Sequence, residues 1–284
     1  MRCPALTITL TAITAGLVLG CDGPVNPGGQ GTGLPTAPEC VATVDGVLAA
    51  DELAVAEGLP VTYVRNAPGT TVAFDPAPHA DADGVLTWDL RDGPEDVRAT
   101  LAVEAPSGWA AAIAPGAQYA IASTLQWPDL LTLLDVVDGA ASRELRAVGL
   151  ASRDADPASQ RTALVYDTPV TTLRAPITIG DAWGGQATFR DAVLSGIPNA
   201  GVEDWTFEVV DIADALLPGG TRVRDVLAIR VTTTRTLAVA SDLPDNRETV
   251  HMLQLFAPCV GEIARAVGTD TELHAVTELR RLVP

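Results

Sequence analysis

Along residues 226–240, apolar side chains return at every second position. Leu227, Ile229, Val231, Leu237 and Val239 fall on one side, and Arg230, Thr232, Thr234 and Thr236 on the other. A two-residue period sorts side chains onto the two faces of an extended strand, whereas a helix repeats its faces every 3.6 residues. The valines, isoleucine and threonines also favour a pleated backbone. The segment is therefore predicted as a long strand with one buried and one wet face. Two further segments carry the same signature: Trp183, Ala187 and Phe189 alternate with Gln186, Thr188 and Arg190, and Trp205, Phe207 and Val209 alternate with Thr206 and Glu208. Residues 241–246, with Pro244 between two aspartates, read as the turn joining 226–240 to 247–256 in an antiparallel hairpin.

Upstream, short apolar runs at 61–64, 71–74, 85–90 and 97–103 start about 11 residues apart, a spacing typical of small antiparallel sandwiches. Strand candidates continue at 119–124, 130–137, 144–150 and 162–166, and again at 262–267 after Pro258. Helix is sparse, with candidates at 47–57 and 109–114. Residues 272–280 fit a final strand through Leu273, Ala275, Thr277 and Leu279, with a helix over 275–282 as the alternative. The expected class is mainly β, with α+β as the alternative: a small sandwich-like N-terminal part followed by a curved C-terminal antiparallel sheet.

The N-terminus gives an address. Arg2 is followed by 15 uncharged residues, 5–19, too few for the roughly 20 that span a bilayer but laid out as a secretory signal. The exit, Leu17-Val18-Leu19-Gly20-Cys21, resembles the lipobox of bacterial lipoproteins, with Val18 where leucine is commoner. That resemblance implies a signal peptide over residues 1–20, a diacylglyceryl group on the Cys21 thiol, palmitate-type acyl chains and a membrane anchor. An ordinary signal peptide with an incidental cysteine is the alternative. Two or more acyl chains, at about 0.8 kcal/mol per buried CH₂, hold a protein stably where one alone is marginal. The implied location is the cell envelope, on the periplasmic or surface face.

Cys3 leaves with the signal, so Cys40 and Cys259 remain, and in an oxidising compartment an even remainder reads as a disulfide. Closing so long a loop would contribute about 5 kcal/mol by chain entropy. Two buried free thiols are the alternative; a metal site is disfavoured because neither cysteine has a CxxC partner or a nearby histidine. Half of residues 22–39 are Gly or Pro, so 21–39 reads as the lipidated cysteine plus a tether. Its reach as a flexible chain is roughly 20–25 Å. Residues 40–105 form the small β-rich part and 106–284 the main sheet domain.

Composition removes several chemistries. All 18 cations are arginines, against 36 acids. Without lysine there is no P-loop lysine, Schiff base or lysine general base. A net charge of −18 repels phosphate backbones, which argues against a nucleic-acid partner. No Gly-x-Ser-x-Gly elbow surrounds Ser195, and His79, His251 and His274 show no paired spacing. The run His79-Ala80-Asp81-Ala82-Asp83-Gly84 is similar to part of a calcium loop but lacks its first acid and distal glutamate, leaving an Asp-Gly turn as the simpler reading. No catalytic residue, cofactor or metal ligand is assigned.

Three segments carry a second resemblance: Pro176-Ile177-Thr178-Ile179-Gly180-Asp181-Ala182-Trp183, Asp225-Val226-Leu227-Ala228-Ile229-Arg230, and Phe256-Ala257-Pro258-Cys259-Val260-Gly261-Glu262-Ile263-Ala264-Arg265. Together they resemble a group of uncharacterised β-rich, secreted or lipid-anchored bacterial proteins, over roughly residues 170–284. The resemblance implies architecture and no activity. By analogy of fold alone, a curved sheet in such proteins encloses an apolar ligand. The functional expectation is a non-catalytic, lipid-anchored envelope protein that binds an apolar small molecule or lipid through Trp205, Phe207, Leu227, Ile229 and Val231. Against this stands the reading that these five side chains simply fill the core. A lipoprotein that scaffolds an envelope protein at the membrane surface is the alternative function, and a hydrolase the remote one.

Overall fold

The computed structural model describes residues 34–36, 40–53, 55, 57–122, 130–238 and 247–284. In chain order the strands are β1 (Val47–Leu48), β2 (Val61–Arg65), β3 (Val72–Ala73), β4 (His79–Ala80), β5 (Leu86–Asp89) and β6 (Val97–Leu101). A short helix, α1 (Gly108–Ile113), precedes β7 (Tyr119–Ala122), β8 (Leu130–Asp138), β9 (Arg143–Ser152), β10 (Ala163–Ala175) and β11 (Ile177–Thr178). The long strands follow: β12 (Ala182–Leu194), β13 (Ile197–Leu216), β14 (Arg222–Leu237), β15 (Arg247–Ala257) and β16 (Gly261–Gly268), then β17 (Ala275–Val276) and β18 (Glu278–Val283).

The protein is mainly β, built on one 14-stranded sheet whose main path runs β6-β2-β18-β16-β15-β14-β13-β12-β10-β9-β8-β7. Pairing along that path is antiparallel, while β5 adds in parallel to β13 through Thr87, Trp88 and Asp89. The ends of the path approach each other. Glu104, just beyond β6, bridges Ala120 in β7, the two exchanging backbone hydrogen bonds of 3.0 and 2.8 Å. The curved sheet is nearly closed, which leaves little unpaired edge. Strands from 40–105 and from 106–284 thus share one sheet.

β14 sits between two apolar clusters. Leu227, Ile229 and Val231 pack into one with Phe189, Phe207 and Leu173, while Val223, Val226 and Ala228 pack into the other with Trp88, Leu255 and Leu282. The wet face predicted for this strand starts only at Arg230, because the run Val226-Leu227-Ala228-Ile229 has no polar residue to give to water. Burial of each large aliphatic side chain here contributes about 1.5–3 kcal/mol.

Among the described residues of 47–57 the predicted helix is absent. Val47 and Leu48 pair instead with Thr178 and Ile177 of β11, and Leu48 and Leu53 insert into the cluster beneath β14. The buried Glu52 carboxylate fixes this segment by accepting the Thr43 and Ala49 backbone N–H groups and the Thr43 hydroxyl. The end of the chain is strand, as β17 and β18, and not helix. The 109–114 helix is present as α1.

Cys259 occupies the turn between β15 and β16 at φ 64°, a conformation that seldom suits a residue with a side chain. It is bonded to Cys40, and its N–H donates to Glu52 O at 3.0 Å. A second anchor is Arg281, fully buried on β18. Its guanidinium donates to the carbonyls of Leu90 (2.9 Å) and Pro94 (2.8 Å), tying the last strand to the loop after β5.

Candidate functional site

The five residues proposed from the sequence lie on one face of β13 and β14. Phe207 is opposite Val231, and Trp205 opposite Thr233. Leu227, Ile229, Val231 and Phe207 are at most 3% exposed and pack on one another, which places them in the core. Trp205 alone of the five keeps an exposed part.

Trp205 belongs to an aromatic group. Trp183, opposite Phe207 across β12 and β13, stacks on it with ring centroids 5.2 Å apart and planes within 6°. Trp205 lies 5.9 Å from Phe207 at 9°. Arg174 covers Trp183 at 5.1 Å, a cation–π contact. The fourth corner of this cross-strand square belongs to Gly185, which is opposite Trp205 and two residues from Trp183 on the same face. Gly185 is exposed, and a side chain there would meet nothing within 4 Å. Next to it, β12 faces β10, yet the backbone pairing registered between those two strands is limited to Ala163 with Val193. Beside Gly185 the seam is held by side chains instead: Trp183 Nε1–H donates to Thr171 O (3.1 Å) and Arg174 to Ala182 O (3.3 Å).

Two buried polar atoms here have no partner among the described residues: Trp205 Nε1, beside Gly185, and Thr233 Oγ1, across Trp205 from it on β14. A buried donor left unpaired costs about 1–3 kcal/mol, so such atoms are rare in cores and mark a place where something polar belongs. The row below is satisfied. Tyr166 reaches over Ala187 to donate to Glu203 Oε2 at 2.5 Å, and Arg235, opposite Glu203, donates to Oε1 at 2.5 Å. Burial, then the Glu203 carboxylate, pushes the Tyr166 hydroxyl well above the ordinary tyrosine range. It stays a neutral donor.

The opposite face of the same strands carries a shallow cavity of about 450 Å³ over Ala182, Gly184, Thr206, Glu208, Arg230 and Thr232. Gly184 forms its floor because a side chain there would strike Trp205 O at 2.4 Å.

The other sequence candidates have local roles. Asp81 Oδ1 accepts the N–H groups of Asp83 and Val85, and Oδ2 binds Arg222, which holds the carboxyl below the usual aspartate range and spends the oxygens a cation would need. His79 contacts Asp75 at 2.7 Å in an exposed pair, and His251 contacts Thr232 at 3.0 Å. Among the described residues no three of His, Cys, Asp and Glu gather as a metal site. Cys21, the signal peptide and residues 241–246 lie outside the described residues.

The sequence reading named Trp205 and Phe207 of this aromatic group but not Trp183, which stacks on Phe207, or Gly185, the gap beside them. The alternation Trp183, Gly185, Ala187, Phe189 was the available signal, since a glycine on the apolar side of a strand leaves room over it. No family model, curated protein or solved structure matches the chain. The lipoprotein reading therefore rests on the residues around Cys21, and any reading of the site rests on its geometry.

Proposed function

We propose that this chain is an exported, lipid-anchored, non-catalytic protein of the cell envelope that binds an apolar small molecule in its curved sheet. What supports the reading is the corner over Gly185: open space, beside three near-parallel rings, with the buried indole N–H of Trp205 unpaired among the described residues. Small-molecule sites are commonly apolar concavities with a few placed polar groups. The core-filling side chains Leu227, Ile229 and Val231 support the wall of such a site from within rather than touching its occupant. The experiment is solvent extraction of the purified full-length protein followed by mass analysis of the extract. A stoichiometric apolar compound is expected, and its absence from repeated preparations contradicts the reading.

Exposed apolar side chains favour a second reading, a scaffold for an envelope protein. Val41, Val44 and Ile179 are 66, 46 and 54% exposed, on the stretches flanking the β1–β11 pair and Cys40, where the tether joins the domain. The anchor is tested separately. Cys21→Ala is expected to move the protein from the membrane to the soluble fraction; retention in the membrane contradicts lipidation.

A further inference from the structure

We infer that the corner over Gly185 is a binding site for a planar, ring-containing molecule that carries an oxygen substituent. This rests on the binding-protein reading and narrows it from apolar molecules in general to one chemical class.

Spacing selects a ring. Neighbouring strands lie about 4.8 Å apart, and two residues along a strand span about 6.7 Å. A planar group over Gly185 would therefore sit one strand from Trp205 and one two-residue step from Trp183. Both separations are within the roughly 4.5–7 Å at which aromatic rings attract. Trp183, Phe207 and Trp205 already hold near-parallel planes at 5.2 and 5.9 Å, so a fourth ring completes an array whose orientation is set beforehand. A flexible acyl chain would gain nothing from that parallel order. Position 185 keeps its backbone in a conformation open to ordinary residues, being absent from the positive-φ glycines, and nothing crowds it. The glycine is thus not needed by the fold; the gap it leaves is what distinguishes the position.

The indole N–H selects the substituent. Trp205 faces Gly185 across β12 and β13, and its buried Nε1 has no partner among the described residues. The indole offers only a donor. One oxygen on the ring, from a phenol, enol or carbonyl, would accept from that N–H. No charge is called for, because the nearest buried carboxylate, Glu203, is already bonded by Tyr166 and Arg235.

Calorimetric titration of the full-length protein with 2-naphthol, and separately with decanoate as a ringless apolar probe, tests the assignment. Gly185→Leu fills the corner, and naphthalene, titrated in place of 2-naphthol, lacks the oxygen. Thermal melting under non-reducing conditions reports whether the variant is folded. Expected are one 2-naphthol site in the unaltered protein and at least a tenfold loss of affinity both for 2-naphthol in folded Gly185→Leu and for naphthalene in the unaltered protein. Equal 2-naphthol affinity in the protein and in Gly185→Leu would overturn the site. Equal affinity for naphthalene and 2-naphthol would overturn the oxygen contact. Binding of decanoate without 2-naphthol would overturn the ring-ligand class while leaving the broader binding reading intact. Failure of both probes would also overturn it, and the broader reading would then fall only if the purified protein carried no extractable compound.

Discussion

Gly184 and Gly185 are adjacent glycines with opposite reasons for being there. At 184 a Cβ would lie 2.4 Å from Trp205 O, so β13 approaches too closely for any side chain; at 185 there is only open space. Gly184→Ala is therefore expected to cost about 1–3 kcal/mol in urea denaturation, the usual penalty for overpacking. Gly185→Ala should be neutral or stabilise by up to about 1 kcal/mol through the unfolded chain. Equal losses at both positions would remove the contrast on which the site depends. The sequence displayed the Trp/Gly alternation, but which glycine is crowded and which is free depends on the neighbouring strand, and one sequence does not display that. Buried ionic residues were illegible for the same reason. Glu262, at the start of β16, binds Arg265 at 2.5 Å and also Arg280, a residue of β18. Burial raises its carboxyl, yet the two guanidiniums overcome this and hold it below the ordinary value of 4.5. A carboxyl lowered in the folded state contributes stability that is complete above the ordinary value and is lost as pH falls through the folded one. Glu262→Gln should thus be less stable than the parent at pH 7, with the difference shrinking below about pH 4.5. A difference independent of pH would contradict the ion-pair role.

At the level of elements, β-strand periodicity located most of the sheet. Predicted runs 61–64, 97–103, 130–137, 144–150 and 247–256 correspond to β2, β6, β8, β9 and β15 within a few residues. What failed was the 47–57 helix, because the pull on Leu48 and Leu53 comes from a cluster built by residues more than 80 positions later. The extension of β10 to Ala175 was also missed: its pairing with β9 shifts register between Val165 and Val170, which breaks the period that sequence reading relies on. The Cys40–Cys259 bond joins the segment that packs under the sheet to the β15–β16 turn. Its reduction is expected to lower the thermal midpoint markedly, from a contribution of up to about 5 kcal/mol. Denaturing, non-reducing thiol labelling that modifies both cysteines would show that the staple is missing.

For the molecule as a whole, near closure of the sheet has two consequences. Chain ends far apart in sequence become neighbours, with β18 between β2 and β16, so truncating the C-terminus should unfold the sheet rather than shorten it. Closure also gives the sheet a fixed curvature, and with it the fixed alignment of Trp183, Phe207 and Trp205. The fold class was readable from short strands and abundant turn residues; the ring order was not, since it is set by contacts such as Glu104 with Ala120 that no local pattern announces. On the proposed reading the molecule carries a small apolar cargo. Native mass spectrometry of the purified full-length protein, compared with the same sample after denaturation, reads that cargo out. The expected result is a bound mass in the native spectrum that disappears on denaturation. A bare polypeptide mass in both spectra, over repeated preparations, would contradict it.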